Sequence, residues 1–390
     1  MEHKTRIKGN VHYVGVNDRN KHRFEGMWPL PYGVSYNSYL IDDEMVALVD
    51  TVDICYFEVY LRKIKQVIGE RPINYLIINH MEPDHSGSIR LIKQHYPEII
   101  IVGNKQTFGM IEGFYGVTGE QYLVKEGDFL ALGHHKLRFY MTPMVHWPET
   151  MMTFDETDGV LFSGDGFGCF GTVDGGFLDT RINVDKYWGE MVRYYSNIVG
   201  KYGSPVQKAL QKLGGLPISA ICSTHGPVWT ENIAKVIGIY DRLSRYDADE
   251  GVVIAYGSMY GNTEQMAEAI AEELSAQGVK NIVMHNVTKS HPSYIIADIF
   301  RYKGLIIGSP TYSNQIFPEV EALLSKILLR EVKGRYLGYF GSFTWAGAAV
   351  KRLAEFAEKS KFELVGDPVE MKQAMKDLTY TQCENLARAM

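Results

Sequence analysis

The sequence predicts an α/β protein of two domains, a β-rich sandwich followed by a doubly wound parallel sheet. Its length of 390 residues exceeds what one ordinary hydrophobic core serves. Before about residue 248, short strands alternate with hairpin signals, as at 39–49, where Asp42-Asp43-Glu44 is the expected turn. After the polar stretch 246–251, apolar strands alternate with helices, which indicates a parallel sheet. We therefore expect domains at 1–248 and 251–390, with the linker near 246–251.

The C-terminal domain carries four apolar strand segments, at 252–256, 281–284, 304–308 and 336–340. Between the first two, Met266, Ile270 and Leu274 recur every four residues, which predicts an amphipathic helix. Gly278 is expected to end this helix. The 140 residues from 251 to 390 suffice for five strands and five helices.

Composition excludes several classes of protein. Hydrophobic residues make up 45% and charged residues 22%, which is typical of a folded globular chain. A net charge of −6 without basic clusters argues against a nucleic-acid partner. No signal segment and no apolar run long enough to span a bilayer is visible, so we expect a cytoplasmic protein with no membrane partner.

The four cysteines are scattered, at Cys55, Cys169, Cys222 and Cys383. A rubredoxin-type iron centre needs two close pairs of thiolates, which these positions do not supply. We expect buried or incidental thiols, and any carrier of the rubredoxin type should be a separate protein.

Seven potential metal ligands follow apolar strand segments. Four lie in the run that follows 73–79, and the others close the segments 136–145, 159–164 and 220–224. They are His80, Glu82, Asp84, His85, His146, Asp165 and His225. Any one alone would be read as a surface polar residue, but packed together they would repel or stay unpaired without a cation. Four imidazoles and three carboxylates exceed the needs of one tetrahedral zinc and suit two metals that share a bridging carboxylate.

Two nearby features are interpreted as unrelated to function. His134 and His135 lie in a turn after Gly133, and we expect them to be solvated. The stretch 166–171 fits the dinucleotide pattern G-x-G-x-x-G, but no helix is expected to open after it, so we do not expect direct nicotinamide binding there.

Three loops, each at the end of a predicted strand, form a second group of candidate binding residues. They are Ser258, Met259, Tyr260, Gly261, Asn262 and Thr263; Ser309, Pro310, Thr311, Tyr312, Ser313 and Asn314; and Ser342, Phe343, Thr344, Trp345, Ala346 and Gly347. The first loop precedes a helix whose N–H groups can surround a phosphate, although alone it could be a simple turn with a Thr263 cap. Tyr312 and Trp345 can cover a flat ring, whereas Tyr260 could be ordinary packing.

These motifs resemble those of known proteins. The metallo-β-lactamase superfamily carries H-x-H-x-D-H where this chain has His80-x-Glu82-x-Asp84-His85, and a glutamate at the second position is the hallmark of flavodiiron proteins. The stretches 143–149, 164–171, 194–198 and 223–227 are similar to that family too, so the resemblance covers almost the whole chain. It implies an αβ/βα metallo-β-lactamase-like sandwich followed by a flavodoxin-like domain that binds FMN in the three loops.

The resemblance also implies a ligand set and an activity. His80, Glu82 and His146 would hold one iron and Asp84, His85 and His225 the other, with Asp165 bridging. The oxygen-rich set favours iron or manganese over zinc. The implied enzyme reduces dioxygen to water or nitric oxide to nitrous oxide, with electrons from rubredoxin or a reduced deazaflavin coenzyme. The ligands do not distinguish between the two gases.

The family arrangement further implies a head-to-tail homodimer, and a dimer of dimers is compatible with it. Trp147 would then lie near the partner's flavin, although packing within its own domain is the competing explanation. Two functional alternatives stay open at this point. One is a zinc hydrolase of the β-lactamase or glyoxalase kind, against which Glu82 argues, and the other is a pure electron carrier, which leaves the metal ligands unexplained.

Overall fold

The computed structural model describes residues 4–390, which form two compact units that divide between Asp241 and Arg242. The α/β class is confirmed. The strands of the N-terminal unit are β1 Arg6–Lys8, β2 Val11–Tyr13, β3 Val16–Asp18, β4 Arg23–Phe24, β5 Trp28–Pro29, β6 Val34–Tyr36, β7 Tyr39–Ile41, β8 Ala47–Val49, β9 Tyr75–Ile77, β10 Ile100–Gly103, β11 Gln121–Leu123, β12 Phe129–Ala131, β13 Lys136–Met141, β14 Met151–Asp155, β15 Val160–Gly164 and β16 Ala220–Ser223. The helices are α1 Phe57–Ile68, α2 Pro83–Ser86, α3 Ile89–His95, α4 Lys105–Tyr115, α5 Asp185–Tyr194, α6 Gly203–Leu213 and α7 Ile233–Ser244, in which the division falls.

Two sheets form the N-terminal unit. The first has the order β1-β2-β7-β8-β9-β10-β11 and the second the order β12-β13-β14-β15-β16. Residues of both sheets share one core, among them Val49 and Ile77 from the first and Phe139 and Phe162 from the second. The predicted sandwich is therefore confirmed. The predicted hairpin is also present, since β7 and β8 pair antiparallel with Ile41 opposite Ala47.

The C-terminal unit is a parallel sheet with helices between its strands. Its strands are β17 Asp249–Tyr256, β18 Ile282–Asn286, β19 Tyr302–Tyr312, β20 Gln315–Ile316, β21 Tyr336–Phe343, β22 Glu363–Leu364 and β23 Val369–Lys372. Its helices are α8 Asn262–Ala276, α9 Pro292–Arg301, α10 Pro318–Arg330, α11 Ala349–Ser360 and α12 Asp377–Ala389. The order β18-β17-β19-β21-β22, with β23 also on β21, is the 2-1-3-4-5 order of flavodoxin-like sheets. Its ligand crevice therefore lies at the carboxyl ends of β17, β19 and β21.

The predicted helix and strands of this unit are present with shifted bounds. Met266, Ile270 and Leu274 are buried on α8, which ends two residues before Gly278. Strand β17 begins at Asp249, within the stretch that the sequence assigns to a linker. Asp249 pairs with Tyr302 in the sheet and therefore belongs to the strand. Because the first residues of β17 are polar, the sequence pattern does not reveal where this strand begins.

All four cysteines are free. Three of them are buried, namely Cys169, Cys222 and Cys383, and Cys55 is exposed. Within residues 4–390, the helices are all too short or too polar to cross a bilayer.

Gly15, between β2 and β3, allows a test of packing in the N-terminal unit. A Cβ atom there would lie 2.6 Å from the carbonyl oxygen of Tyr36 and 2.8 Å from the Cα of Asn37, whereas one at Gly109 on α4 would meet nothing within 4 Å. We expect Gly15→Ala to destabilise the unit by about 1–3 kcal/mol, because backbone must move. Gly109→Ala should stabilise it by roughly 0.5–1 kcal/mol through helix propensity. Urea unfolding of both variants measures the difference, and equal midpoints would contradict the prediction.

Candidate metal centre and candidate flavin cavity

The first four predicted ligands lie in one short segment. His80 follows β9, and α2 begins at Pro83 so that Asp84 and His85 fall on its only turn. All four ligands, Glu82 among them, are buried, and none is more than 8% exposed. One turn of helix thus directs two ligands inward at the edge of the first sheet.

The remaining ligands come from the second sheet. Asp165 directly follows β15, and His225 lies two residues after β16, as the sequence predicts. His146 does not end a strand, because β13 stops at Met141 and His146 lies in the loop that leads to β14. Thr150 fixes this loop, since its hydroxyl donates to the carbonyl of Thr142 at 2.5 Å.

One oxygen of Asp165 faces the first group of ligands. Its Oδ2 lies 3.0 Å from His146 Nε2 and 3.6 Å from His80 Nε2. Glu82 Oε2 lies 3.1 Å from His146 Nε2 and 3.5 Å from His80 Nε2. The ligand atoms of these four residues all lie within 4.8 Å of one another, close enough to surround one cation.

The other oxygen of Asp165 faces the second group. Its Oδ1 lies 3.0 Å from His85 Nε2 and 3.7 Å from His225 Nε2. Asp84 approaches the same rings, with Oδ1 3.2 Å from His85 Nε2 and Oδ2 3.4 Å from His225 Nε2. Asp165 therefore lies between two groups of ligand atoms with one oxygen toward each.

The buried polar atoms of the centre test whether cations fit. Several buried ligand atoms lack a well-directed hydrogen bond. They are His80 Nε2, His225 Nε2, His85 Nδ1 and both carboxylate oxygens of Asp84. Buried polar atoms without partners are costly, and metal ligation would satisfy those directed into the centre. The mixture of imidazole and carboxylate donors fits two divalent ions of the iron or manganese kind.

The pKa values of the ligands in the metal-free centre also favour the binding of cations. Burial disfavours a charged imidazole, yet the carboxylates of Asp165 and Glu82 raise the pKa of His146 to about 9. Burial and the nearby Glu82 raise the pKa of Asp84 to about 8. Without a cation these ligands hold protons at neutral pH, so metal binding must release them.

Sequence reasoning missed the residues that orient these ligands. Glu149 Oε1 lies 2.9 Å from His80 Nδ1, and the Ser35 carbonyl lies 2.7 Å from His225 Nδ1. Thr224 donates to Asp165 Oδ1 at 2.5 Å. Glu149 and Thr224 lie close to ligands in the sequence, which is a weak signal. Ser35 is 190 residues from His225 and leaves no signal at all.

Trp147 packs beside the ligands of its own unit. Its ring lies 5.4 Å from that of His80 and 6.3 Å from that of His146, nearly perpendicular to the first. The side chain is half-buried. Packing within the unit therefore accounts for one part of its surface.

The expectation for His135 is wrong. This residue is 1% exposed, and its Nδ1 lies 2.9 Å from Asp155 Oδ2, whereas His134 is exposed as expected. The carboxylate of Asp43 accepts from the backbone N–H groups of both histidines, which draws the second ring inward. A turn position does not reveal such an anchor. The stretch 166–171 opens no helix, as the sequence predicts.

The three predicted loops of the C-terminal unit surround a cavity of about 360 Å³. Five residues of each loop line it, together with Gln373, which the sequence did not indicate. They are Ser258, Met259, Tyr260, Asn262 and Thr263; Pro310, Thr311, Tyr312, Ser313 and Asn314; and Ser342, Phe343, Thr344, Trp345 and Ala346. The cavity opens beside the N-terminus of α8, whose first N–H groups lack helical partners.

Three predicted loop residues do not line the cavity but shape its loops. Gly261 is the N-cap of α8 with φ +90°, a conformation that glycine adopts without strain. The hydroxyl of Ser309 accepts from the N–H of Phe317 at 3.2 Å. At Gly347 a Cβ atom would lie 2.5 Å from a carboxylate oxygen of Glu370.

Aromatic side chains are exposed around this cavity. Tyr260 is 91% exposed, Trp345 80% and Tyr312 48%. Ordinary packing is therefore the wrong interpretation of Tyr260. Thr263 and Ser342 share a hydrogen bond of 2.8 Å that joins the first loop to the third. Together these features fit a ligand with a phosphate and a flat ring.

Comparisons with known proteins agree with this arrangement. Residues 34–226 match the model of the ODP family beta lactamase, and residues 254–385 match that of flavodoxin. Over 363 residues the chain is 32% identical to the anaerobic nitric oxide reductase flavorubredoxin of Vibrio vulnificus, covering 92% of this chain and 73% of the relative.

Solved structures are similar over nearly the whole chain. The rubredoxin oxygen:oxidoreductase from the anaerobe Desulfovibrio gigas superposes with a TM-score of 0.95 and 31% identity, covering 99% of this chain and 97% of that chain. The flavodiiron protein from Giardia intestinalis gives a TM-score of 0.91 and 27% identity, covering 97% and 93%. Similarity of this extent in sequence and structure shows that the chain belongs to the flavodiiron protein family.

Proposed function

We propose that this chain is an oxidoreductase that takes electrons from an external donor through FMN to a two-iron centre, where dioxygen is reduced to water or nitric oxide to nitrous oxide. The observation that carries the proposal is the position of Asp165, whose two oxygens face separate groups of buried ligand atoms. Relatives named for these two reactions support it. A hydrolase or a pure electron carrier accounts for fewer of these features.

Each ligand group has a distinct role in this proposal. His80, Glu82 and His146 would hold one iron. Asp84, His85 and His225 would hold the other. Asp165, which is buried and has one oxygen toward each group, would be shared between the two ions. We assign these roles within a metal domain at 1–248 and a flavin domain at 251–390.

The electron count agrees with both reactions. Two ferrous ions and reduced FMN supply four electrons, which with four protons convert dioxygen to two waters, while two electrons and two protons convert two nitric oxides to nitrous oxide and water. A cavity of about 730 Å³ borders Glu82 and Asp84 in the N-terminal unit. Small gases would have a path to the ligands from this side.

The names of the relatives support an external electron donor of the rubredoxin type. We propose a rubredoxin or a reduced deazaflavin coenzyme in the cytoplasm as the donor. One similar structure is that of a rubredoxin oxygen:oxidoreductase. The four scattered cysteines of this chain do not form the two close pairs that a rubredoxin-type iron centre needs. The exposed rings of Tyr260 and Trp345 leave the flavin accessible.

We also propose that the working unit is a head-to-tail homodimer, in which the FMN of one chain reduces the iron centre of the other. Exposed aromatic side chains around the flavin cavity are suited to cover by a partner, as is the open cavity beside Glu82 and Asp84. A twofold axis makes both contacts with one self-complementary interface. Trp147, half-buried beside His80, then lies near the partner's flavin.

Asp165→Asn tests the proposed function. One oxygen of the bridging carboxylate and its charge are lost, so we expect less iron to be retained and gas reduction to fall at least about 100-fold. The FMN absorption should remain, because the flavin loops lie in the other unit. Protein loaded with ferrous iron and reduced without air is mixed with dioxygen or nitric oxide while consumption is measured.

Asp155→Asn provides the matched control, since that buried carboxylate pairs with His135 instead of a predicted ligand. It should keep both iron and activity. Iron-loaded wild type that consumes neither gas, or zinc-loaded protein that hydrolyses esters or lactams, would overturn the proposed function.

Mixed dimers test the cross-chain route. Chains with Asp165→Asn lack a working iron centre, and chains with Thr263→Asp should lose FMN because the new carboxylate repels the phosphate. Each parent should be inactive. After exchange, heterodimers should recover one productive pair of flavin and iron, measured as gas consumption per heterodimer. Heterodimers verified by mass that remain inactive would show that the route lies within one chain.

A further inference from the structure

Glu149 is a buried carboxylate in contact with the metal centre that has no role in the ligand set. It is 0% exposed, and its Oε1 lies 2.9 Å from His80 Nδ1. The same oxygen accepts from the backbone N–H of Met81 at 2.8 Å, while Oε2 has no hydrogen-bond partner. The charge of Glu149 is therefore shared mainly with His80.

The surroundings fix Glu149 in this position. Asn104 donates to its backbone carbonyl at 2.6 Å and also caps α4, since its side-chain oxygen accepts from two N–H groups of that helix. Oε1 of Glu149 thus faces the ring nitrogen of His80 and accepts from the N–H of Met81, which are the contacts that a carboxylate makes.

The corresponding imidazole of the second ligand group has a different partner. His225 Nδ1 donates to the backbone carbonyl of Ser35 at 2.7 Å, a neutral acceptor. With a metal ion bound, each contact would keep the ring N–H at Nδ1 and leave Nε2, the atom that faces Asp165, free to act as the ligand. Only the contact with Glu149 adds a full negative charge. The two rings therefore differ in the charge of the partner at Nδ1.

We propose that Glu149 is a positioning residue that makes the two metal positions inequivalent. It fixes the tautomer of His80 and increases the electron donation of that ring. The ion held by His80, Glu82 and His146 therefore binds more tightly than the other and is the easier of the two to oxidise. The inference rests on the proposed two-iron function and adds an order of loading and oxidation to it.

Glu149→Gln removes the charge and keeps the shape. Metal-free protein with FMN bound is titrated with ferrous iron in the absence of air, against a chelator of known affinity. Wild type should bind two ions with different affinities. In the variant, the tighter ion should weaken by about 10- to 100-fold and the other should be unchanged.

A second readout separates charge from packing. Mössbauer spectra recorded during a redox titration follow each iron, and the iron that oxidises first in wild type should become harder to oxidise in Glu149→Gln. Glu149→Asp retains the charge and should shift that potential less than Glu149→Gln does. A purely structural role would not order the two variants in this way.

Asp155→Asn is again the matched control, because His135 Nδ1 and Asp155 Oδ2 form a buried pair at the same distance of 2.9 Å. It should change neither iron affinity. Equal weakening of both ions, or of neither, in Glu149→Gln would overturn the inference. Wild type that fails to bind two ions would instead overturn the proposed function.

Discussion

The carboxylate of Asp165 constrains the N-terminal unit, because its two oxygens face imidazoles from three separate segments of the chain. Each segment has its own anchor. The carboxylate of Asp50 accepts from the backbone N–H of Asn79 at 2.8 Å and so fixes the segment of His80, while Asn37 donates to the carbonyls on either side of His225. Thr150 fixes the loop of His146. These contacts bring together buried ionisable groups that do not all find hydrogen-bond partners within the protein. Two bound cations would satisfy these groups.

The candidate sites of the two units differ in how exposed their residues are. The metal ligands are buried among anchored loops, which favours a fixed geometry and a low dielectric around a small substrate. The flavin loops instead expose Tyr260 and Trp345, which suits a cofactor that takes electrons from an external donor. Within the metal centre, the contact between His80 and Glu149 introduces an asymmetry that the seven ligands themselves do not have. An enzyme that passes electrons in steps gains from such an order of potentials.

The sequence predicts those parts of the structure that short patterns encode. The alternation of strands and helices after β17, the buried face of α8 and the ligand run from His80 to His85 follow from apolar periodicity and from polar residues at strand ends. Contacts between distant segments could not be predicted. Ser35 reaches His225 across 190 residues, and His135 turns inward because Asp43, 92 residues away, accepts its backbone N–H. The start of β17 was obscured as well, since polar residues at the open end of a strand look like a linker.

The most direct test of a shared Asp165 is anomalous diffraction at the iron absorption edge from crystals of protein loaded with ferrous iron without air. We expect two iron peaks per chain, one beside His80, Glu82 and His146 and the other beside Asp84, His85 and His225, each in contact with a different oxygen of Asp165. A single peak, or two peaks of which one does not contact Asp165, would show that this carboxylate is not shared between two ions.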